Sequence, residues 1–209
     1  MDLHILQYVS DLIASNTWVI EEDGFSLVVD PARDLTPGVG IKVEKILLTH
    51  EHYDHISGVN EWKNSTGASV LCTAACAEGI GDANKNLAHI FPAFCQLQTW
   101  VALDEIPETD RGYTCSADET FDDSLTFDWR GHAFSLFALP GHSPGGCGIL
   151  VDGEAFFSGD SLLPDQEVQL RLPGGDRTSW EKISLPRLRA LPDGITVYPG
   201  HFDPFIYHH

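Results

Sequence analysis

The stretch Thr49-His50-Glu51-His52-Tyr53-Asp54-His55 puts four metal-ligating side chains within six residues: His50, His52, Asp54 and His55. Imidazole nitrogen and carboxylate oxygen together suit zinc, and also iron or manganese. His50 and His52 are one residue apart. In extended or turning backbone directly after a strand, both can converge on one ion. Asp54 and His55 follow at once and can point to a neighbouring ion. The chain has 10 histidines in 209 residues, so three of them beside an aspartate in so short a stretch is not a chance feature of a polar loop. Glu51 and Tyr53 fill the variable slots and are expected to be supporting or solvent-facing rather than catalytic. Thr49 is expected to hold the ligand loop by hydrogen bonding.

Three later segments repeat the theme, each after an apolar run. Residues 139–146 (LPGHSPGG) carry His142, residues 157–160 (FSGD) carry Asp160, and residues 198–201 (YPGH) carry His201. Glycine beside a ligand lets backbone come close to a crowded metal centre. With the first stretch, these segments place five histidines and two aspartates at recurring strand ends. Gly141-His142-Ser143-Pro144-Gly145 has the spacing of G-x-S-x-G, but no serine or cysteine nucleophile is assigned, because a metal-held water can serve in that role.

The elements that must carry these residues follow from hydrophobic periodicity. Strands are predicted over 4–9, 17–20, 25–29, 43–49, 68–73, 124–129, 133–139, 146–151, 155–158 and 195–198. Glu22-Asp23-Gly24 and Asp152-Gly153 are the hairpin turns. A short helix is expected near 57–62, ended by Gly67. A longer one is expected over 178–191, with Thr178 and Glu181 as a capping box and Trp180, Ile183, Leu188 and Leu191 as its buried stripe. Pro186 should kink or split it. Residues 74–122 show weak periodicity and predict short helices and loops. Within them, 84–112 holds Phe91, Phe94 and Trp100, which either pack into the core or line an apolar pocket or lid over the site. Arg111, Arg171 and Arg177 are candidate anion contacts. Strand-rich ends around a mixed middle imply two sheets with helices outside them. No linker or repeat divides the chain, so a single domain over 1–209 is expected. His208 and His209 are set aside as a tag remnant.

The charge balance narrows the partners. Twelve Lys and Arg stand against 31 Asp and Glu, a net charge of −19. That excludes a phosphate-tracking nucleic-acid surface and disfavours an anionic membrane, which leaves a small-molecule substrate. Hydrophobic residues at 43% support a packed core. No signal peptide and no apolar run of about 18 residues is seen. Five cysteines in no framework spacing fit reduced thiols and a cytoplasmic location. Cys72 and Cys76 are spaced to share a helix face and, like Cys147, are expected to pack as small buried residues. Oligomeric state is not legible.

The ordered pattern H-x-H-x-D-H, Gly-His, Gly-Asp, Pro-Gly-His resembles the metallo-β-lactamase-fold superfamily. Within it, the chain is most similar to the small glyoxalase II-like (hydroxyacylglutathione hydrolase-like) metallohydrolases, over nearly its whole length. Residues 172–176 (LPGGD) add to the likeness. The resemblance implies an α+β fold, an αββα sandwich of two mixed β-sheets with helices on the outer faces. It implies one metal site of His50, His52 and His142, a second of Asp54, His55 and His201, and Asp160 bridging two divalent ions, zinc first with iron or manganese as alternatives. A hydroxide bridging the ions would attack the carbonyl of a thioester or small ester, with Asp54 as a ligand that also orients the water. The alternatives are a lactonase and a mononuclear-iron oxygenase of the persulfide dioxygenase type, which is similar in His50, His52, His142 and Asp160.

Two departures bear on substrate. Glyoxalase II proper has an extra helical C-terminal domain that grips glutathione, expected to be missing here because the chain ends eight residues after His201. Small members of the subgroup carry Gly-Arg-x-Asp where this chain has Val168-Gln169-Leu170-Arg171. Substrate recognition then falls to the loops over the site.

Overall fold

The computed structural model describes residues 3–36, 42–102 and 107–208. The first sheet begins as an antiparallel meander of β1 (His4–Val9), β2 (Asn16–Glu22) and β3 (Phe25–Val29). It continues in parallel through β4 (Lys42–Leu47), β5 (Ser69–Thr73) and β6 (Glu119–Phe121), giving the order β1-β2-β3-β4-β5-β6. The second sheet runs antiparallel through β7 (Ser124–Trp129), β8 (His132–Ala138), β9 (Cys147–Val151) and β10 (Ala155–Gly159). Then β11 (Ile195–Pro199) pairs parallel to β10, and β12 (Phe205–Tyr207) closes the edge. Both sheets are therefore mixed.

The period-two alternation of the strands builds the layers. Trp18, Ile20, Leu27, Val29 and Leu47 of the first sheet meet Phe134, Leu136, Ile149, Val151 and Phe157 of the second in one buried cluster. The intervening Val19, Val28, Ile46 and Val70 face the other way. There they meet α1 (Tyr53–Ile56), α2 (Val59–Thr66) and α3 (Ala74–Ile80) through Ile56, Trp62 and Ile80. On the far side of the second sheet, Phe156 and Val197 pack against Leu188 and Leu191. The expected αββα sandwich follows, each inward side chain contributing roughly 1.5–3 kcal/mol by leaving water. Another helix, α4 (Phe91–Leu97), follows a short 3₁₀ turn (Ala88–Ile90).

The 178–191 helix departs from its expectation. It is built as α5 (Arg177–Ser179), a π-helical turn (Trp180–Ser184) and α6 (Leu185–Arg189), with Pro186 at the start of α6, so the split occurs there. Asp176, not Thr178, is the N-cap; its carboxylate accepts from the Thr178 and Ser179 N–H groups. Ile183 is exposed rather than part of the buried stripe. β6 and β12, of three residues each, carry no alternation of their own and exist by pairing with β5 and β11. Cys72 lies on β5 and Cys76 on α3, so they share a buried cluster and not a helix face. All five cysteines are free thiols. Among the described residues, no helix is long and apolar enough to cross a membrane.

Candidate functional site

Each sequence-identified candidate sits just past the C-terminal end of a strand. His50 to His55 follow β4, His142 follows β8, Asp160 follows β10 and His201 follows β11. Both sheets deliver these ends to the same place. The Cys147 N–H donates to the Thr49 carbonyl at 2.6 Å, and the Gly200 N–H donates to the Gly159 carbonyl at 2.9 Å. A Cβ on Gly200 would lie 2.2 Å from Asp160 Oδ1 and 2.9 Å from the His55 ring. Only glycine permits that approach. The last loop is held from the start of the chain. The Asn16 N–H donates to the Gly200 carbonyl at 2.7 Å, the Trp18 Nε1–H donates to the Pro199 carbonyl at 3.0 Å, and Ser15 forms a β-bridge with His201.

All seven candidates come together. His50, His52 and His142 form one group, and Asp54, His55 and His201 another, with the potential ligand atoms of each within 4.8 Å of one another. His52 Nδ1 is 3.1 Å from His142 Nε2. Asp54 Oδ2 is 3.3 Å from His55 Nε2 and 3.4 Å from His201 Nε2. Asp160 stands between the groups: Oδ2 is 3.5 Å from His142 Nε2 and 3.6 Å from His201 Nε2, and Oδ1 is 3.5 Å from His55 Nε2.

The imidazoles are aimed from behind. The His142 Nδ1–H donates to the Gln169 carbonyl at 2.9 Å, and the His201 Nδ1–H donates to the Ala14 carbonyl at 3.1 Å. An acceptor at Nδ1 leaves the Nε2 lone pair facing the centre. For His50 the anchor is a relay. Thr49 Oγ1 donates to Asp30 Oδ2 at 2.5 Å and accepts from His50 Nδ1–H at 3.0 Å. Asp30 Oδ1 also accepts the Thr49 N–H at 2.8 Å, and Asp30 lies 3.3 Å from His55 Nδ1. Asp30 is the residue that sequence reasoning missed. Its signal was available: an acidic residue directly after the apolar run 25–29, as at the other strand ends. It is within reach of His50 and His55 as a third candidate group, but its oxygens are occupied by Thr49.

The two variable slots of the motif prove to be supports, and neither faces solvent. Glu51 is buried; its carboxylate accepts from Ser143 Oγ at 2.9 Å and from the Gly145 N–H at 3.1 Å, tying the first ligand loop to the His142 loop. Tyr53 is also buried, and its hydroxyl accepts the Asp110 N–H at 3.1 Å.

Burial is the largest influence on every titratable group here, and the neighbours decide the outcome. Burial holds His50 well below its ordinary value, pushes His52 down to about 3 and lowers His142, so these three imidazoles are neutral, with lone pairs to offer. Around the second group burial is outweighed. Asp54 and Asp160 hold His55 well above its ordinary value, and Asp160 with Asp54 raises His201 to about 9. In return, the His55 and His201 charges hold Asp54 and Asp160 far below the usual carboxylate range. Burial pushes the Asp30 carboxyl up, partly offset by His55 and Thr49.

Three inward atoms test whether metal fits. His50 Nε2, His55 Nε2 and Asp160 Oδ1 are buried with no hydrogen-bond partner. Unpaired buried polar atoms cost about 1–3 kcal/mol each. Coordination to a cation is the natural satisfaction for a converging set of this chemistry.

Above the ligands lies an open cleft of about 640 Å³ counted out to its mouth, with His52, Asp54, His142, Asp160 and His201 at its floor. Phe91, Phe94 and Trp100 line it. Phe91 is also fully buried in a core cluster with Tyr53, so the two expectations for the 84–112 segment are both met in part. Residues 103–106 of that segment lie outside the described residues. Arg111 is exposed away from the cleft lining, while Arg171 and Arg177 line an adjoining groove.

A family model described as the metallo-beta-lactamase superfamily matches residues 11–201. Among curated proteins, the hydroxyacylglutathione hydrolase of Shewanella sp. (strain ANA-3) is 27% identical over 195 residues, covering 88% of this chain and 60% of that protein. The one from Pseudomonas entomophila (strain L48) is 30% identical over 183 residues, covering 83% and 56%. The chain thus spans about three fifths of the length of the curated relatives it matches. Among solved structures, the BLEG-1 B3 metallo-beta-lactamase superposes with a TM-score of 0.77 at 23% identity, covering 97% of this chain and 94% of that one. TTHA1623 in a di-iron-bound form gives 0.70 at 24%, covering 96% and 94%. At these identities the structural likeness is one of fold.

Proposed function

The chain belongs to the metallo-β-lactamase superfamily, and from that premise we propose that it is a metal-dependent hydrolase that cleaves a thioester or small ester, in the manner of glyoxalase II. The observation that carries this reading is the convergence of two triads on Asp160, with His50 Nε2, His55 Nε2 and Asp160 Oδ1 buried without a hydrogen-bond partner. In this reading His50, His52 and His142 hold one divalent ion, and Asp54, His55 and His201 hold a second. Asp160 reaches both, and zinc is the first candidate. The likeness to hydroxyacylglutathione hydrolases supports the reaction class.

When bound, such ions lower the pKa of a coordinated water from about 16 toward 7 and polarise a carbonyl oxygen. The residues of the chain do the rest. The Asp30–Thr49 relay and the Gln169 and Ala14 carbonyls fix the tautomers of His50, His142 and His201, so that Nε2 lone pairs would face the ions. Asp54, whose Oδ2 lies 3.3 Å from His55 Nε2 and 3.4 Å from His201 Nε2, would be a ligand of the second ion that also orients the attacking water. Burial of the floor keeps bulk water from competing with these contacts.

The test is elemental analysis of protein purified without added metal, followed by a turnover screen of S-D-lactoylglutathione, a lactone and glutathione persulfide with oxygen uptake. About two zinc per chain and turnover of a thioester or ester are expected. Asp54→Ala should lower kcat by roughly 100-fold with little change in KM. One iron per chain with oxygen uptake would replace the hydrolytic reading. An Asp54→Ala variant with normal metal content and near-normal kcat would remove Asp54 from the mechanism.

A further inference from the structure

We propose that the cleft over the ligand groups selects an uncharged, apolar acyl group, an alkyl or aryl chain of several carbons, as the part of the ester or thioester it binds. This inference rests on the hydrolase reading for its chemistry, but it comes from the walls of the cleft rather than from its floor.

The walls above the ligands are Leu87, Phe91, Phe94, Trp100, Leu163 and Leu172. The polar residues among them are Gln166, Glu167 and Gln169, and among the described residues no Lys or Arg lines the cleft. A carboxylate at the far end of the acyl group would leave water to face Glu167 and apolar rings, with no Lys or Arg on the walls to receive it. Burying an unpaired charge in that way is strongly unfavourable. An apolar chain gains by the same burial. The two arginines nearby, Arg171 and Arg177, belong to the adjoining groove. Both are exposed, and Arg177 lies 3.5 Å from Glu181.

The aromatic wall is also preorganised. The Trp100 Nε1–H donates to the Ile13 carbonyl at 3.0 Å, and its ring meets the His201 ring edge-on with centroids 5.5 Å apart. From Trp100 the contacts run to Phe94 at 5.8 Å, on to Phe91 at 5.9 Å, and from Phe91 to Tyr53 at 5.1 Å. Tyr53 directly precedes Asp54. The apolar wall is thus braced against a core residue that adjoins a candidate ligand. Trp100 remains 37% exposed. A large ring held in place yet open to solvent beside a polar floor is the arrangement of a binding surface, because apolar pockets with a few convergent polar groups are what small-molecule sites are made of. A fixed wall spares a ligand the entropy of ordering it.

Thioesters of N-acetylcysteamine test the proposal, because their leaving group is neutral. Acetyl, butanoyl, hexanoyl and glutaryl thioesters are assayed with metal-loaded protein; glutaryl matches hexanoyl in reach but ends in a carboxylate. The expected kcat/KM rises about fourfold for each added methylene, and hexanoyl exceeds glutaryl by at least about 30-fold. Phe94→Ser and Leu163→Ser should each flatten the chain-length series. A second readout needs neither metal nor turnover: saturable quenching of tryptophan fluorescence by 2-octanone in metal-free protein, lost in Trp100→Phe. A flat or falling series, glutaryl equal to hexanoyl, or no saturable 2-octanone signal would overturn the apolar acyl site. If no thioester is turned over but 2-octanone binds with the Trp100 signature, the apolar site stands and the hydrolase reading falls.

Discussion

Asp30 touches no substrate in the proposed scheme, yet its substitution should disturb both the fold and the metal. Its carboxylate accepts two buried hydrogen bonds from Thr49, and its backbone is left-handed, at φ +52°. Aspartate and asparagine tolerate that conformation, and alanine does so only at about 1–2 kcal/mol. Asp30→Ala also strands the Thr49 N–H and Oγ1–H, each at about 1–3 kcal/mol. The total is roughly 5–6 kcal/mol at the middle of these ranges. Asp30→Asn keeps the backbone tolerance and one acceptor for the Thr49 N–H, so its loss should be about 1.5 kcal/mol.

The metal should rank the two variants differently. The Asn amide donates where the carboxylate accepted, so Thr49 Oγ1 turns its proton toward His50 Nδ1. That selects the tautomer with Nε2 protonated and removes the lone pair that faces the centre. Zinc affinity should fall about 10–100-fold in Asp30→Asn despite its near-normal stability. Urea unfolding of the metal-free proteins, paired with competitive zinc titration, measures both quantities. Asp30→Asn with wild-type zinc affinity, or Asp30→Ala no less stable than Asp30→Asn, would refute the relay.

The two ligand groups should also part company with pH. A proton must leave His201, raised to about 9, before it can ligate, whereas His52 is already neutral above about 3. Affinity at the Asp54–His55–His201 group therefore falls about tenfold per pH unit below about 9 for the proton displaced from His201, and further for the proton that must leave His55, which is also held above its ordinary value. Dialysis from pH 8 to 5.5 should release one equivalent of zinc before the other, and simultaneous loss in a single step would contradict this. Gly145→Ala places a Cβ 2.4 Å from Cys76 Cα and from Glu51 Oε2, and should cost about 3 kcal/mol by overpacking. Gly153→Ala meets nothing within 4 Å at φ +72° and should cost about 1 kcal/mol. Equal losses in urea unfolding would show that the Glu51 contact is not tightly packed.

What was legible in the sequence was local. Ligand residue types at glycine-flanked strand ends stand out because few other roles need a histidine or aspartate there. Period-two runs such as 25–29 and 155–158 mark strands whatever they pair with. The misses came from contacts distant in sequence. Thr178 and Asp176 are equally good cap residues; the choice is made by the Asp176 N–H, which donates to the Gly141 carbonyl at 2.8 Å and so holds Asp176 outside the helix. Ile183 lies within the π turn, whose winding departs from the 3.6-residue period on which the expected stripe was drawn, and it is exposed. The anchors of His142 and His201 are backbone carbonyls of Gln169 and Ala14, which carry no side-chain signature. Asp30 had the same strand-end signature as the ligands but lay 20 residues before the motif it supports.

The bonds between the start of the chain and the last ligand loop have a consequence in time. His201 is anchored on Ala14, 187 residues earlier, and Gly200 on Asn16. During synthesis, residues 14–16 leave the ribosome long before their partners exist. The His50–His52 end of the centre can be laid down early, but the centre is completed only when β11 docks. Contacts of such long range make folding slow. The nascent chain therefore carries a half-built, histidine-rich loop through most of its translation.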